Sequence, residues 1–446
     1  MISKTSRIIT GFIICIFLIS NVLYLKLYEG SGFIQNTVRA ISNQDLNNAS
    51  ETNAPGAEYA VRIAETAKSE ETKQTTVFPY SDTPITQNFV TSTSTSLPVR
   101  DYPYCKFHTS WNTFLMYPTT LTDFTNWNLT ELTSCNYGNI LSAVTPSTNF
   151  RFSLNCSDGF ANPLLSAIKG NKSNDDIQIV EFGDKCLLDF IENCCYDTLR
   201  VPNVVHYVMY NKERLSFFEF VSLYSVIRFV RPCAILIHGD HLPSSGSYWE
   251  YIRAIYPNII QVRRSMPVDI FGQKRKFREH SGDIMRIEAL IEYGGLYFDL
   301  DTLVVKPIDS LRSFPCAMSA QSSGFMSSAF IASERNSSFI FNWLEGYRTK
   351  YKPESYTYNA MTYPRALARR YPQDIKTLYG SLSRPWYQIG RIIYETNYNW
   401  QSIYGIHLFS RIFNRLMNEE GVKTFNSTVG SICRHILYGN KALCRT

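Results

Sequence analysis

Asp299 and Asp301 stand two residues apart, directly after Leu296-Tyr297-Phe298. On an extended strand, alternate side chains leave on the same side, so the spacing predicts two carboxylates aimed at one point. A hard divalent cation, Mn²⁺ or Mg²⁺, prefers such oxygens and keeps open positions for phosphate oxygens. The matching chemistry is binding of a nucleotide-sugar diphosphate, whose charge must be stabilised as it leaves. The tripeptide alone means little, because chance supplies about one Asp-x-Asp in a chain of this length. Its setting carries the argument. Ser281 reads as a helix N-cap, and Ile284, Ile287, Ala289, Leu290 and Ile291 as the buried side of the helix that follows. Gly294-Gly295 stops that helix where the backbone turns left-handed without a Cβ, and a strand is predicted over Leu296 to Leu300. Asp283 and Arg286, three apart, lie near one face of the first turn. They offer an acceptor for sugar hydroxyls and a cation for phosphate or for Asp283 itself.

The elements that must hold these residues are legible upstream. Val204 to Val208 reads as a strand, Phe217 to Val230 as a packed helix, and Ala234 to Ile237 as a second strand ending at His238-Gly239-Asp240. Tyr248 to Ile255 reads as a helix and Ile259 to Val262 as a third strand. Such alternation predicts an α/β fold with a largely parallel sheet, whose ligands gather at the carboxyl ends of its strands. Arg263-Arg264, Lys274-Arg275-Lys276 and Arg278 read as a solvated basic loop before the motif helix. His280 reads as structural. Trp400 and His407 balance between core and site, and Tyr356 to Asn359 is a candidate border of an acceptor site.

The 446 residues are 44% hydrophobic and 18% charged, which excludes global disorder. The net charge of +6 accompanies no nucleic-acid module. Ile8 to Leu25 is uncharged and apolar, with Lys4 and Arg7 before it, so a single-pass helix with a cytosolic tail is expected. Bulky Tyr24, Leu25, Leu27 and Tyr28 offer no signal-peptidase site, which favours retention of the anchor. Sequons at Asn48, Asn128, Asn155, Asn171, Asn336 and Asn426 agree with a lumenal body. Of 11 cysteines Cys15 lies in the span, and the rest suggest up to five disulfides. No zinc spacing, Gly-x-Ser-x-Gly elbow, His-Glu-x-x-His or phosphate-loop motif is present.

The segment around the aspartates resembles the glycosyltransferase family with a DXD sugar-binding region. That family's hallmark reads approximately S-D-x-x-R-x-x-x-L-x-x-x-G-G-x-Y-x-D-x-D. Its residues fall here at Asp283, Arg286, Gly294, Gly295, Tyr297, Asp299 and Asp301, with Gly282 where Ser or Ala is usual. Val201 to Val208 is similar to the family's first strand, Val305-Lys306-Pro307-Ile308 to its run after the motif, and Ile406-His407-Leu408 to its C-terminal element. The resemblance spans roughly 201 to 416. It implies a type-A glycosyltransferase (GT-A) fold, one Rossmann-like catalytic domain, and transfer with retention. It also implies that Asp301 ligates the metal, that Asp299 contacts metal or ribose, and that Asp283, Arg286, Tyr297 and His407 serve the donor. No residue stands out as a nucleophile, and internal return by the leaving phosphate needs none.

The expected organisation is a cytosolic tail over 1–7, a signal-anchor over 8–28, a disordered Ser/Thr-rich stem over 29–100, a cysteine-rich lumenal subregion over 101–200 and a catalytic domain over 201–446. The expected activity is Mn²⁺-dependent (Mg²⁺ the second choice) transfer of a hexose or N-acetylhexosamine. The donor is a UDP- or GDP-sugar and the acceptor a glycan, glycoprotein or glycolipid in the Golgi lumen. One rival is an inactive lumenal carbohydrate-binding protein of the same fold, against which both aspartates are intact. Another, a structural ectodomain, calls for an all-β pattern that the helix–Gly-Gly–strand run does not give.

Overall fold

Five short strands line up in parallel, and the four inner ones are largely apolar because helices cover both of their faces. They are β1 (Gln178–Glu181), β2 (Val204–Val208), β3 (Ala234–Gly239), β4 (Ile259–Arg263) and β5 (Gly295–Phe298). The computed structural model describes residues 131–132, 135, 137–141, 178–256, 258–320, 324–380, 392–413 and 416–445. All of these belong to the unit Val90–Thr446. The expected anchor and stem, Cys15, Cys105, Cys156 and the sequons at Asn48, Asn128, Asn155 and Asn171 lie outside the described residues. Among the described residues, no helix is long and apolar enough to cross a membrane.

Between the strands run α1 (Lys185–Cys194), α2 (Phe217–Phe229), α3 (Ser247–Ile255) and α4 (Glu279–Tyr293). After β5 come β6 (Thr302–Val304), β7 (Cys316–Ala320), β8 (Met326–Ser333), α5 (Ser338–Lys350), α6 (Tyr363–Arg370), β9 (Lys376–Tyr379), β10 (Gly405–His407) and α7 (Thr428–Tyr438). The main sheet has eight strands in the order β9-β7-β8-β5-β2-β3-β4-β1. β8 is antiparallel to both neighbours, and the other pairs are parallel. β1 extends the sheet upstream of the expected boundary at residue 201.

Period two sorts the core. Val205, Tyr207, Ile235, Ile237, Leu296 and Phe298 face α2 and α7. Val204, Ala234, Leu236, Ile260 and Val262 face α1, while Tyr297 and Ile331 face α4 and α5. Helix α2 is buried over nearly its whole length and starts from a reciprocal cap. Ser216 Oγ accepts the Glu219 N–H, and Glu219 accepts the Ser216 N–H.

The joint between α4 and β5 explains the double glycine. Gly294 and Gly295 have φ of 65° and 108°, which favour residues without a Cβ. A Cβ on Gly295 would also lie 2.5 Å from the Val204 carbonyl oxygen and 2.8 Å from His206 Nε2. His206 Nε2 lies 2.6 Å from the Gly294 carbonyl oxygen, and its Nδ1 lies 2.9 Å from His238 Nε2. Burial pushes His206 down to about 4, against the Gly294 hydrogen bond. A neutral ring bonded to a carbonyl must carry its proton on Nε2. Nδ1 then accepts from His238.

Three expectations need correction. Helix α4 begins at Glu279, and Ser281 is not its cap. The Ser281 hydroxyl instead donates to the Pro267 carbonyl at 2.7 Å, because the first turn is itself packed into the core. β5 ends at Phe298, not Leu300, since the Thr302 N–H bonds to the Asp299 carbonyl at 2.9 Å and closes a turn. Disulfides join Cys135 to Cys444 and Cys195 to Cys233, and Cys186 and Cys194 are also bonded. Cys316 and Cys433 are free and buried. Ten cysteines less these two leave at most four disulfides, not five.

Candidate metal centre

The turn after β5, more than strand pleat, brings the two aspartates together. Asp299 opens that turn and Asp301 sits within it, and β6 then pairs antiparallel with β10, setting His407 opposite Thr302. His407 Nε2 comes to 3.0 Å from Asp301 Oδ1 and 3.9 Å from Asp299 Oδ2. Among the described residues, these three form the one group of His, Cys, Asp or Glu side chains whose ligand atoms all lie within 4.8 Å of one another. Two carboxylates and an imidazole suit Mn²⁺ or Mg²⁺ better than a thiophilic ion. The residues fit the implied metal.

Each carboxylate has one oxygen committed elsewhere. Asp299 Oδ1 accepts the Tyr297 hydroxyl at 2.7 Å and lies 3.3 Å from Arg286 Nη1. Asp301 Oδ2 accepts the backbone N–H of Ser410 at 2.8 Å and its hydroxyl at 3.1 Å. The remaining oxygens, Asp299 Oδ2 and Asp301 Oδ1, face His407. Burial raises the Asp301 carboxyl. The His407 charge and hydrogen bond, with the two Ser410 bonds, outweigh it and hold the group at about 2. Burial lowers His407, but the carboxylates of Asp301 and Asp299 win and raise it.

Behind this pair lies a buried charge relay across α4. Arg286 Nη2 is 3.4 Å from Asp283 Oδ1, and Nη1 donates to the Ser328 carbonyl and hydroxyl at 2.7 and 2.9 Å. The guanidinium lies 4.6 Å from the centre of the Tyr297 ring, close enough for cation–π attraction. Burial lowers Arg286, yet Asp299, Tyr297 and Asp283 outweigh it and keep the cation charged. Asp283 Oδ2 accepts the Tyr347 hydroxyl at 2.8 Å. Its carboxyl is raised by burial in spite of Arg286.

All six residues singled out from the sequence, Asp283, Arg286, Tyr297, Asp299, Asp301 and His407, therefore meet in one place. Tyr297 and Arg286 touch Asp299 itself. Ser410, Ser328 and Tyr347 complete the cluster and carried no signal in the sequence. The other candidates lie in packing roles. His280 Nδ1 is 2.7 Å from the Tyr351 hydroxyl, and Trp400 is buried with its N–H donating to Ser431. Asn359 bonds the Lys352 backbone twice. Arg264 pairs with Glu288 and lies over Phe182, and Lys276 pairs with Glu354.

Residues 248–317, which include the aspartate pair, match the family described as glycosyltransferase sugar-binding region containing DXD motif. That stretch is similar to a glycosyltransferase sugar-binding region. The chain is 30% identical over 196 residues to glucan organizing enzyme 1 of Cryptococcus neoformans, covering 40% of the chain and 52% of that protein. It is 28% identical over 123 residues to an Arabidopsis thaliana protein, covering 26% of the chain and 19% of that protein. It thus spans about half, or less, of the length of these curated relatives. Among solved structures it is similar to the galactosyltransferase LgtC in complex with donor and acceptor sugar analogues, at 12% identity and a TM-score of 0.32, covering 54% of this chain and 97% of that one. It is also similar to the glycosyltransferase GlyE of Streptococcus pneumoniae TIGR4, at 10% identity and a TM-score of 0.33, covering 54% and 61%.

Proposed function

We propose that this chain is a divalent-metal-dependent glycosyltransferase. It transfers a hexose or N-acetylhexosamine, with retention, from a UDP- or GDP-sugar to a hydroxyl of a glycan, glycoprotein or glycolipid. The observation that carries the reading is the convergence of one oxygen from each of Asp299 and Asp301 with His407 Nε2. When bound there, Mn²⁺ (Mg²⁺ second) supplies positive charge to a diphosphate leaving group.

The chain's own residues do the rest. Tyr297 and Arg286 fix Asp299, and Ser410 fixes Asp301, so neither carboxylate must reorganise when the donor arrives. Asp283, buried and oriented by Tyr347, is the acceptor for a donor-sugar hydroxyl. Arg286, engaged by two carboxylates and Ser328, acts as their spacer. The sheet with its site past the carboxyl end of β5 belongs to a GT-A type, Rossmann-like catalytic domain. We place that domain in the Golgi lumen behind the apolar segment 8–28, which acts as a type II anchor, and the stem 29–100.

The test uses the full-length chain in detergent, with donor hydrolysis assayed without acceptor. Turnover with Mn²⁺, its loss with a chelator, and its loss in Asp301→Asn are the expected results. Donor binding without turnover would favour the inactive carbohydrate-binding alternative. Unaltered turnover in Asp301→Asn would refute the metal centre.

A further inference from the structure

The stretch from His407 to Ser410 does more than deliver one histidine. The Leu408 N–H bonds to the Asp301 carbonyl oxygen at 2.9 Å, and the Leu408 carbonyl accepts the Tyr394 hydroxyl at 3.0 Å. Phe409 has φ of 51°, a left-handed conformation that an aromatic residue adopts only where its surroundings enforce it. Its ring centre lies 4.0 Å from that of His407. The Phe409 carbonyl accepts the N–H groups of Ile412 and Phe413 at 2.9 and 3.1 Å, closing a turn behind it. The reversal at Phe409 points the next residue back at the turn after β5. Ser410 then places both its donors on the same oxygen, Asp301 Oδ2.

We propose that Ser410 is a positioning residue for the metal centre: its hydroxyl and N–H together fix the rotation of the Asp301 carboxylate, so that Oδ1 alone is presented beside His407 Nε2. This rests on the metal reading above. An aspartate held through only one donor can turn about its terminal torsion and present either oxygen. Two donors from one residue remove that freedom. The cost of ordering the ligand is then met by the fold before a cation arrives. The strained backbone at Phe409 is what allows one residue to deliver both donors.

The test compares wild type, Ser410→Ala and Ser410→Thr as full-length chains in detergent. Ser410→Ala keeps the N–H and loses the hydroxyl, and Ser410→Thr keeps both. Mn²⁺ binding is measured by calorimetry and by the paramagnetic resonance signal of free Mn²⁺, and thermal unfolding is followed in chelator. Ser410→Ala is expected to weaken Mn²⁺ binding by about tenfold, the lower end of the effect for a group bonded to a metal ligand. Its unfolding midpoint should stay near wild type, and Ser410→Thr should restore affinity. In turnover, the Ser410→Ala defect should shrink as Mn²⁺ is raised, appearing in the metal requirement more than in kcat. Wild-type Mn²⁺ affinity in Ser410→Ala, or failure of Ser410→Thr to restore it, overturns the proposal while leaving the metal reading standing. A wild-type chain that binds no Mn²⁺ overturns both.

Discussion

Replacing His435 with glutamine should flatten the acid side of the stability profile. His435 sits in the last turn of α7 and is 1% exposed. Its Nε2 lies 3.0 Å from the Val305 carbonyl oxygen, and its ring stands 5.3 Å from both Phe229 and Trp400. Burial, aided by Arg228 and Lys441, pushes it down to about 4 against the Val305 bond. A group whose folded pKa is depressed binds more protons in the unfolded chain. Its contribution is complete above about 6.5, the unfolded value, and is lost as pH falls toward about 4. Between pH 7 and pH 5 one such histidine removes about 1.8 kcal/mol, at about 1.4 kcal/mol per unit. Urea unfolding at both pH values, followed by tryptophan fluorescence in chelator, reads this directly. His206, likewise near 4, and His407, raised and therefore opposite in sign, act equally in both proteins and cancel. The wild-type drop should exceed that of His435→Gln by roughly 2 kcal/mol. Equal drops would refute the assignment of a neutral, buried His435.

Gly295→Ala sets a Cβ against the Val204 carbonyl and His206 at a φ of 108°, and should lower stability by about 1–3 kcal/mol, measured as a fall in the thermal midpoint. Tyr297→Phe removes the hydroxyl that binds Asp299 Oδ1. Bonds to charged groups contribute about 1.5–3 kcal/mol, so Mn²⁺ or donor affinity should fall roughly tenfold or more in titration calorimetry.

The parallel core was legible because its strands are buried on both faces and read as unbroken apolar runs. Val204–Val208 matches the expectation, and Ala234–Gly239 and Ile259–Arg263 do so to within two residues. Helix α2 was legible from its apolar run alone, although capping logic, with Ser216 and Glu219 three apart, also marks its start. The same logic failed at Ser281, whose hydroxyl was drawn to Pro267 by packing that no local pattern reports. The convergence of Asp283, Arg286 and the aspartate pair was readable because they share one helix–turn–strand unit. Ser410 was not, since it reaches Asp301 across 109 residues, and the rotation of a carboxylate depends on contacts that chain spacing does not encode. Tyr347 and Ser328 likewise arrive from separate elements.

The bond between Cys135 and Cys444 closes a covalent ring with a sequence separation of 309 residues. Every strand of the eight-stranded sheet, the Asp299, Asp301 and His407 group and the other described disulfide lie inside that ring. A denatured chain so closed explores far less space than an open one, and loop-entropy arguments put the difference at about 6 kcal/mol for a ring this large.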